Sequence, residues 1–428
     1  MVPARVIIDT DPGVDDIWAL LLALSSAPEE LEITLLSITY GNVPLEHCMR
    51  NIVALFHVLE RDEAWRAKSG KAAHFNTLKS HKPIIAAGPS KPLEDDELMV
   101  DYAHGLDGLH GVHEKFPELS PPDGWQKLFD KGSPCTDQDG LTCSKYFIPS
   151  KEPSHKEILR ILKENPADSI TIIALGPMTT LALAAAEDAA TFLKVKEVVV
   201  MGGAILGGNI TPVAEFNTYA DAVATARVFA LTSPDPASVL PPGRCAVPAL
   251  PLYPASLWRR LNLTLAPLNI TSNHRVHKRF FNDMTYPFLN SGSPLALWVH
   301  GIMRGTFDWG DLIRGKDKGI PIHDALTIWY VLTASNPAWV LSRGEDIRVE
   351  TTGQWTKGMH VLDGRGYNAP DQDATADESG GEPSSSTLRM KGDTMGWFNK
   401  KMGNRINRLV ESPGEDMFET FMLGRIFR

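Results

Sequence analysis

The stretch that decides the fold reads Val6-Ile7-Ile8-Asp9-Thr10-Asp11-Pro12-Gly13-Val14-Asp15-Asp16. Its apolar beginning has the composition of a β-strand, Pro12-Gly13 interrupts it, and an apolar run resumes over residues 17–24. This pattern predicts a strand, a turn and a buried helix. Open α/β sheets bind ligands beyond the carboxyl ends of their strands, so the turn is expected to bring its carboxylates to a ligand site.

Four carboxylates, those of Asp9, Asp11, Asp15 and Asp16, crowd into this short stretch. Carboxylates at such spacing repel one another unless a cation or a proton neutralises them. A set made only of oxygen ligands suits a hard ion such as Ca²⁺ or Mg²⁺ better than zinc. The alternative is an exposed acidic turn with an N-capping Asp, but the tight spacing directly after a buried strand favours the metal site.

Composition excludes several classes of protein. Of the 428 residues, 43% are hydrophobic and 22% are charged, as in ordinary globular proteins. The net charge of −10 argues against nucleic acid or an anionic membrane as the main partner. No apolar run approaches the roughly 18 residues of a membrane span. Neither nucleic acid nor a membrane is therefore expected as a partner.

Cysteine usage and the N-terminal sequence bear on the compartment. No basic segment followed by an apolar core and a cleavage site is evident, so secretion is not expected. The four cysteines show neither CxxC nor zinc-like spacing, which fits reduced thiols in a cytoplasmic protein. A local Cys135–Cys143 disulfide is the alternative.

The rest of the chain alternates between strand and helix patterns. Further strands are predicted at 31–39, 82–88, 169–175, 197–201, 265–271, 347–351 and 358–363, and helices at 48–60, 155–164, 178–190 and 321–333. Residues 417–427 form an amphipathic segment that is expected to pack back on the domain. The fold class is therefore α/β, an open, mostly parallel (mixed) sheet flanked by helices and Rossmann-like.

Two later motifs carry polar groups. Residues 202–208 are glycine-rich but contain no G-x-G-x-x-G, so a dinucleotide loop is rejected. Glu215 and Asn217, two apart on a segment predicted to be extended, would project to the same side and could hold vicinal hydroxyls. His323 and Asp324 at a predicted helix start could point a base and a carboxylate into one cleft, although an N-cap is the simpler interpretation.

Taken together, these blocks resemble the calcium-dependent, inosine-uridine preferring nucleoside hydrolases. The resemblance covers nearly the whole chain as a single domain, 1–428, interrupted by insertions near 113–152, 232–262 and 366–400, the last expected to be disordered. The matching blocks are 9–16, 38–42, 174–179, 201–209, 212–217, 267–271, 322–325 and 349–358.

The resemblance implies a role for each matching residue. The expected Ca²⁺ ligands are the carboxylates of Asp11, Asp16 and Asp324 and the backbone carbonyl of Leu175, where the family often has Thr. Asp9 would support the metal loop. The residues expected to bind substrate are Asp15, Asn42, Asn209, Glu215 and Asn217 at the ribose hydroxyls, Met201 beside the sugar and His104 near the base.

The implied reaction is hydrolysis of the N-glycosidic bond of ribonucleosides, with uridine as first substrate, inosine as second and nicotinamide riboside as a further candidate. Asp11 would act as general base on the attacking water. His323 would be the acid or relay for the leaving base, because a histidine can be charged near neutral pH. Family members are commonly homodimers or homotetramers, and the same is expected here.

Two other functions remain open at this point. A haloacid-dehalogenase-like Mg²⁺ phosphatase also begins with strand-Asp-x-Asp, but it usually has Thr or Val where this chain has Gly13. A catalytically silent nucleoside- or Ca²⁺-binding protein, with insertions obstructing the cleft, is the other alternative. Release of free ribose with and without EDTA separates all three.

Overall fold

The computed structural model describes residues 3–98, 103–131, 145–241, 250–254, 256–365 and 393–428. Within these ranges the strands are β1 Ala4–Thr10, β2 Leu31–Ile38, β3 Ile84–Ala87, β4 Ile148–Pro149, β5 Ile170–Ala174, β6 Glu197–Met201, β7 Leu263–Ala266, β8 Arg275–Val276, β9 Ile320–Pro321, β10 Val340–Glu345, β11 Ile347–Val349, β12 His360–Leu362 and β13 Ile406–Glu411.

The helices of the same ranges are α1 Val14–Leu24, α2 Leu45–Lys68, α3 Thr77–Ser80, α4 Val112–Lys115, α5 Ser154–Glu164, α6 Thr179–Glu187, α7 Ala189–Phe192, α8 Phe216–Ala220, α9 Ala222–Ala230, α10 Leu268–Thr271, α11 Lys278–Asn290, α12 Pro294–Arg314, α13 Ala325–Thr333 and α14 Glu415–Ile426. Short 3₁₀ turns lie at Pro117–Leu119, Trp125–Phe129 and Pro236–Ser238.

Among the described residues, a nine-stranded sheet has the order β10-β13-β7-β6-β5-β1-β2-β3-β4. Only the β10–β13 pair is antiparallel, and the other neighbours run parallel. The predicted α/β fold with a mostly parallel, mixed sheet is therefore confirmed. β1 lies centrally, with Asp9 in register with Ser37 of β2 and Ala174 of β5.

The core explains why the first strand and helix form as predicted. Five successive residues of β1, 6–10, are buried because helices cover both faces of the sheet. One apolar cluster joins α1, α2, α12, α13 and α14 on one face, and a second joins α5, α6 and α9 on the other. Helix α1 is buried almost all round, as its apolar sequence requires.

The structure corrects one strand and locates two others. The strand predicted at 265–271 ends at Ala266, and residues 268–271 form α10 instead, because Pro267 cannot donate a ladder hydrogen bond. The late strands at 347–351 and 358–363 are confirmed in shortened form, but β11 and β12 pair with each other outside the main sheet.

The C-terminal segment packs back on the domain, as predicted. Helix α14 buries Phe418, Met422, Leu423 and Ile426 in the cluster that contains α1 and α13. None of the helices in the described ranges is at once long and apolar enough to cross a membrane. Cys135, Cys143 and the acidic segment near 371–381 lie outside the described residues.

Candidate active site

The strand ends on one edge of the sheet meet at a pocket. Its volume is about 240 Å³. Ten of the residues predicted from sequence line it: Asp15, Asn42, His104, Leu175, Met201, Asn209, Glu215, Asn217, His323 and Asp324. They come together because β1, β2, β5 and β6 run parallel, so that the loops after them lie side by side. Asp11 and Asp16 are fully buried directly behind this lining.

Asp16 organises the turn after β1. Its Oδ1 accepts hydrogen bonds from the Thr10 hydroxyl at 2.5 Å and from the backbone N–H of Asp11 at 3.2 Å. Its Oδ2 accepts from the backbone N–H of Gly13 at 3.0 Å and from the Asn42 amide at 2.8 Å. One carboxylate therefore fixes the loop and ties it to the end of β2.

The Asp11 carboxylate lies in a narrow space between Gly41 and Gly176, which have no Cβ to fill it. Its Oδ2 accepts a 2.7 Å hydrogen bond from the backbone N–H of Asn42, whereas its Oδ1 is buried without a hydrogen-bond partner. A Cβ added at Gly41 or Gly176 would lie only 2.1 or 2.5 Å from the Asp11 carboxylate. A buried carboxylate oxygen without a hydrogen-bond partner calls for an explanation, and an atom of a bound ligand would supply the missing partner.

Without a cation, the crowded and buried carboxyl groups of this site are disfavoured in their charged form. Asp15, Asp16 and Asp324 each offer an oxygen within 4.8 Å of the others. Burial and the charge of Asp16 raise the pKa of Asp15 to about 8, and burial followed by Asp15 and Asp16 raises the pKa of Asp324 well above its usual range. Burial, then Asp16, likewise raises the pKa of Asp11. A bound divalent cation would remove this cost, so these residues fit a hard metal ion.

Asp9 lies one layer beneath this cluster. Its Oδ2 accepts a short hydrogen bond from the Ser37 hydroxyl, and burial raises the pKa of Asp9 to about 7. It does not line the pocket, which is consistent with the supporting position predicted for it. The backbone carbonyl of Asp9 also accepts from the N–H of Leu175 at 2.8 Å, which joins the turn to the end of β5.

Glu215 and Asn217 line the pocket, but the reason predicted from sequence is wrong. They do not share an extended segment, because Glu215 is the N-cap of α8 and Asn217 lies inside that helix. Its carboxylate accepts from the backbone N–H groups of Asn217, Thr218 and Gly203 at 2.7, 3.0 and 2.7 Å. Glu215 has the extended backbone typical of an N-cap residue, and the start of α8 brings both side chains to the pocket.

Asn209 is held by the same helix start. Its Oδ1 accepts a 2.9 Å hydrogen bond from the backbone N–H of Phe216. This bond fixes the glycine-rich loop after β6 and leaves the Asn209 amide N–H₂ group for other partners. Met201 is the last residue of β6, and its Sδ lies 3.6 Å from the side-chain amide nitrogen of Asn217. The predicted sugar-pocket residues are therefore next to one another.

His323 is present in the pocket, but in a different protonation state from the one supposed. Its Nδ1 is paired with the Thr271 hydroxyl at 2.8 Å. Burial, then the positive charge of Arg314, lowers the pKa of His323 to about 3, so the imidazole is neutral near neutral pH. The next residue, Asp324, stands at the N-cap position of α13, as the simpler interpretation expects, but its side chain makes no capping hydrogen bond.

His104 approaches the start of α1 from the loop before α4. Its Nδ1 accepts a 3.0 Å hydrogen bond from the backbone N–H of Val14 and lies 3.9 Å from the Asp15 carboxylate. The loop itself is anchored by Asn51 of α2, whose amide donates to the carbonyls of Pro12 and Asp107 at 2.8 and 2.9 Å. The turn after β1 and the His104 loop are therefore joined through one side chain.

Sequence reasoning missed the residues that α12 contributes. Thr306, Trp309, Ile313 and Arg314 of this helix line the pocket together with the carboxylates. Their spacing in sequence is helical, but periodicity alone does not tell which face of a helix meets a pocket. Asn51 was also missed, because a lone Asn within a helix carries no distinctive signal.

A pocket with an acidic floor at the carboxyl edge of a parallel sheet is typical of α/β enzymes that bind small polar substrates. Comparison with known proteins narrows this class. A family model described as inosine-uridine preferring nucleoside hydrolase matches residues 6–383. The chain therefore belongs to this family and is an N-glycosyl hydrolase. That membership rules out the haloacid-dehalogenase-like phosphatase.

Similar proteins include the pyrimidine-specific ribonucleoside hydrolase RihA of Salmonella paratyphi B. It is 27% identical over 358 residues, covering 84% of this chain and 88% of that protein. RihA of Citrobacter koseri is 26% identical with the same coverage. Among solved structures, the plant nucleoside hydrolase PpNRh1 matches with a TM-score of 0.63 at 20% identity, covering 99% of both chains.

A purine-preferring ribonucleoside hydrolase from Gardnerella vaginalis has the same fold, with a TM-score of 0.62 at 18% identity, covering 99% of this chain and 98% of that one. At these identities the structural likeness establishes the fold and not the substrate.

Proposed function

We propose that this protein hydrolyses ribonucleosides to ribose and free base at a Ca²⁺ site, with uridine preferred over inosine. The observation that carries the proposal is the pocket floor. Asp15, Asp16 and Asp324 converge there, and Glu215 and Asn217 lie beside them. Carboxylates and amides arranged in this way suit a hard cation together with the hydroxyls of a sugar.

Asp11, Asp16, Asp324 and the carbonyl of Leu175 would hold the ion, as the family resemblance implies. When bound, Ca²⁺ would neutralise the carboxylates, orient a water and the ribose hydroxyls, and act as a Lewis acid. The residues proposed for the ribose then position the sugar: Asp15, Asn42, Asn209, Glu215 and Asn217 through hydrogen bonds and Met201 through contact. Fixing the sugar in this way lowers the entropic part of the barrier.

Asp11 is the general base of the proposal. Its Oδ1 is buried without a hydrogen-bond partner and so has a lone pair available for the proton of the attacking water. As the water oxygen bonds to C1′ of the ribose, the bond from C1′ to the base nitrogen breaks. The electron pair of that bond leaves with the base, and positive charge develops on the sugar ring. The buried carboxylates around the floor favour this charge.

His323 would act on the departing base as a neutral imidazole. When the Thr271 hydroxyl donates to Nδ1, the Nε2 atom carries the hydrogen and can donate it to the base. The sequence predicted His323 as a charged acid, and the proposal makes it a neutral hydrogen-bond donor instead. His104, which also lines the pocket and accepts from the backbone N–H of Val14 at the start of α1, would contact the base as well.

The preference for uridine is supported by the curated relatives, which are named pyrimidine-specific ribonucleoside hydrolases. The Gardnerella vaginalis neighbour is named purine-preferring, and its likeness is one of fold, so it carries no weight for substrate. A catalytically silent binding protein receives no support from the site, since every residue predicted for metal and ribose lies in or directly behind the pocket.

The remaining expectations are proposals of the same kind. We propose a single domain over residues 1–428 with insertions near 113–152, 232–262 and 366–400, a cytoplasmic location, and assembly as a homodimer or homotetramer. Sedimentation of the purified chain gives its mass in solution. A monomer would contradict the proposed assembly without affecting the proposed chemistry.

The test of the function is a steady-state comparison of uridine, cytidine, inosine, adenosine and nicotinamide riboside, with free ribose as the readout. The proposal expects the highest kcat/KM for uridine and the second highest for inosine. Failure to release ribose from any of the five with Ca²⁺ present would overturn the activity. A higher kcat/KM for inosine than for uridine would overturn only the preference.

A further inference from the structure

The pocket lining carries charges of both signs. It includes the carboxyl groups of Asp15, Glu215 and Asp324, and also Trp309 and Arg314 from the end of α12. Among the described lining residues, Arg314 is the one lysine or arginine side chain. A single guanidinium in a lining that is otherwise acidic offers a substrate two chemically different groups to bind.

Arg314 is held in place by its neighbour on the same helix. Its guanidinium carbon lies 5.7 Å from the centroid of the Trp309 ring, within the range of a cation–π contact. Within the described ranges it has no carboxylate at salt-bridge distance and no hydrogen bond, so its donors are available. Its charge is also the largest electrostatic influence on His323, the residue beside Asp324, which agrees with its position at the pocket.

The proposed function, on which this inference rests, gives the orientation of a nucleoside. It puts the ribose hydroxyls at the carboxylates and the base beside His323 and His104, so Trp309 and Arg314 of the same lining are left for the far edge of the base. That edge is C4 of a pyrimidine or C6 of a purine. Uracil and hypoxanthine carry a carbonyl oxygen there, whereas cytosine and adenine carry an amino group.

A guanidinium only donates hydrogen bonds and does not accept them. We propose that Arg314, supported by Trp309, makes this pocket selective for nucleosides whose base bears an oxo group on the edge opposite the ribose. An amino group at that edge places donor against donor. A base that is already cationic, such as nicotinamide in its riboside, is disfavoured because it meets a like charge.

The same contact strengthens during the reaction. When the bond between C1′ and the base nitrogen breaks, its electron pair passes to the base, and uracil and hypoxanthine spread that charge onto the carbonyl oxygen. A guanidinium facing this oxygen binds the departing base more tightly than the intact nucleoside. Interactions that strengthen in the transition state raise kcat, so the selectivity is expected in kcat as well as in KM.

The test is Arg314→Gln assayed on inosine against adenosine, uridine against cytidine, and nicotinamide riboside. For inosine and uridine, kcat/KM is expected to fall about 10- to 100-fold, the usual effect of losing a charged hydrogen bond. For adenosine and cytidine it is expected to stay within about threefold. For nicotinamide riboside it is expected to rise, since the repulsion is removed.

Arg304→Gln is the matched control. Arg304 is an exposed arginine of the same helix that lines a different cavity, so its loss should leave the substrate profile unchanged. An equal loss on all five substrates in Arg314→Gln, or equal kcat/KM of the wild type for inosine and adenosine, would overturn the inference.

A binding measurement keeps this inference separate from the activity. Calorimetry on the Asp11→Asn background, which is expected not to turn over, measures intact inosine and adenosine. Tighter binding of inosine that disappears on adding Arg314→Gln supports the selectivity, and no difference between the two nucleosides overturns it. A wild type that hydrolyses none of the five would instead overturn the proposed function.

Discussion

The side-chain amide of Asn217 donates a 2.6 Å hydrogen bond to the backbone carbonyl oxygen of Leu175. Asn217 is proposed to bind the ribose and the carbonyl of Leu175 to bind the metal, so this hydrogen bond joins the substrate site to the metal site. A carbonyl oxygen has two lone pairs, so accepting from Asn217 leaves one available.

Asn217→Leu should therefore affect both sites. We expect kcat/KM for uridine to fall about 10- to 100-fold, because a buried carbonyl and a sugar hydroxyl both lose a donor. The concentration of Ca²⁺ needed for half-maximal activity should rise as well. An unchanged Ca²⁺ requirement with weakened uridine binding would contradict the coupling between the two sites.

Asp11→Asn should abolish hydrolysis while sparing the fold. Loss of a general base lowers kcat by about 10²- to 10⁴-fold. The side chain is buried among like charges, so replacing a carboxylate by a neutral amide should not lower the melting temperature measured without metal. Near-normal turnover of this variant would mean that Asp11 is not the base.

His323→Ala should cause a loss that depends on the leaving group. For uridine, whose uracil leaves as a poor anion, we expect kcat to fall by about 10²-fold. For p-nitrophenyl riboside, whose leaving group departs without help, the loss should be less than about tenfold. Equal losses on the two substrates would argue that His323 does not act on the departing base.

Asn51→Leu should weaken the site from a distance. This side chain joins the carbonyls of Pro12 and Asp107 and accepts a 2.8 Å hydrogen bond from His113. Three buried polar groups would lose a partner, so the free energy of unfolding should fall by about 2–4 kcal/mol. A positioning role further predicts weaker Ca²⁺ binding in Asn51→Asp, which keeps the acceptor and loses both donations. Unaltered Ca²⁺ affinity in Asn51→Asp would leave only a structural role.

The stability of the protein should respond to acid through His360. This buried imidazole contacts Thr218 and Phe229, and burial lowers its pKa to about 4. The unfolded chain has its histidine pKa near 6.5. Between these values the unfolded state binds the proton and the folded state does not, so the folded state loses stability as pH falls from about 6.5 to about 4.

Comparison with His360→Gln isolates this effect from other titrating groups. The difference in unfolding free energy between wild type and variant should be constant above about pH 6.5. It should shift by up to about 3 kcal/mol in favour of the variant as pH falls to about 4. Denaturant unfolding at saturating Ca²⁺ measures it. A difference that does not vary with pH would show that His360 keeps an ordinary pKa in the folded state.

The parts of the site that lie directly after parallel strands could be predicted from sequence. Asp11, Asn42, Leu175 and Met201 follow or end β1, β2, β5 and β6, and parallel strands bring their carboxyl ends to one edge whatever the loops do. The apolar sequence of β1 and α1 is decisive for the same reason, since both elements are buried on all sides.

The parts of the fold and of the site that depend on packing could not be predicted from sequence. Whether Trp309 and Arg314 face the pocket is decided by how α12 lies against its neighbours, and the helical period alone allows other faces. The antiparallel pair β10–β13 joins strands far apart in sequence, and no local pattern indicates such a pairing. The strand predicted at 265–271 is in fact the end of β7 followed by one turn of helix, with Pro267 between them.

The most direct measurement of the central claim is release of free ribose from uridine by EDTA-treated protein as Ca²⁺ is added back. The account predicts no ribose after chelation and a saturable return of activity with Ca²⁺, together with a rise in melting temperature because the ion binds the folded state. Full activity in the presence of EDTA would contradict it. So would recovery with Mg²⁺ but not with Ca²⁺.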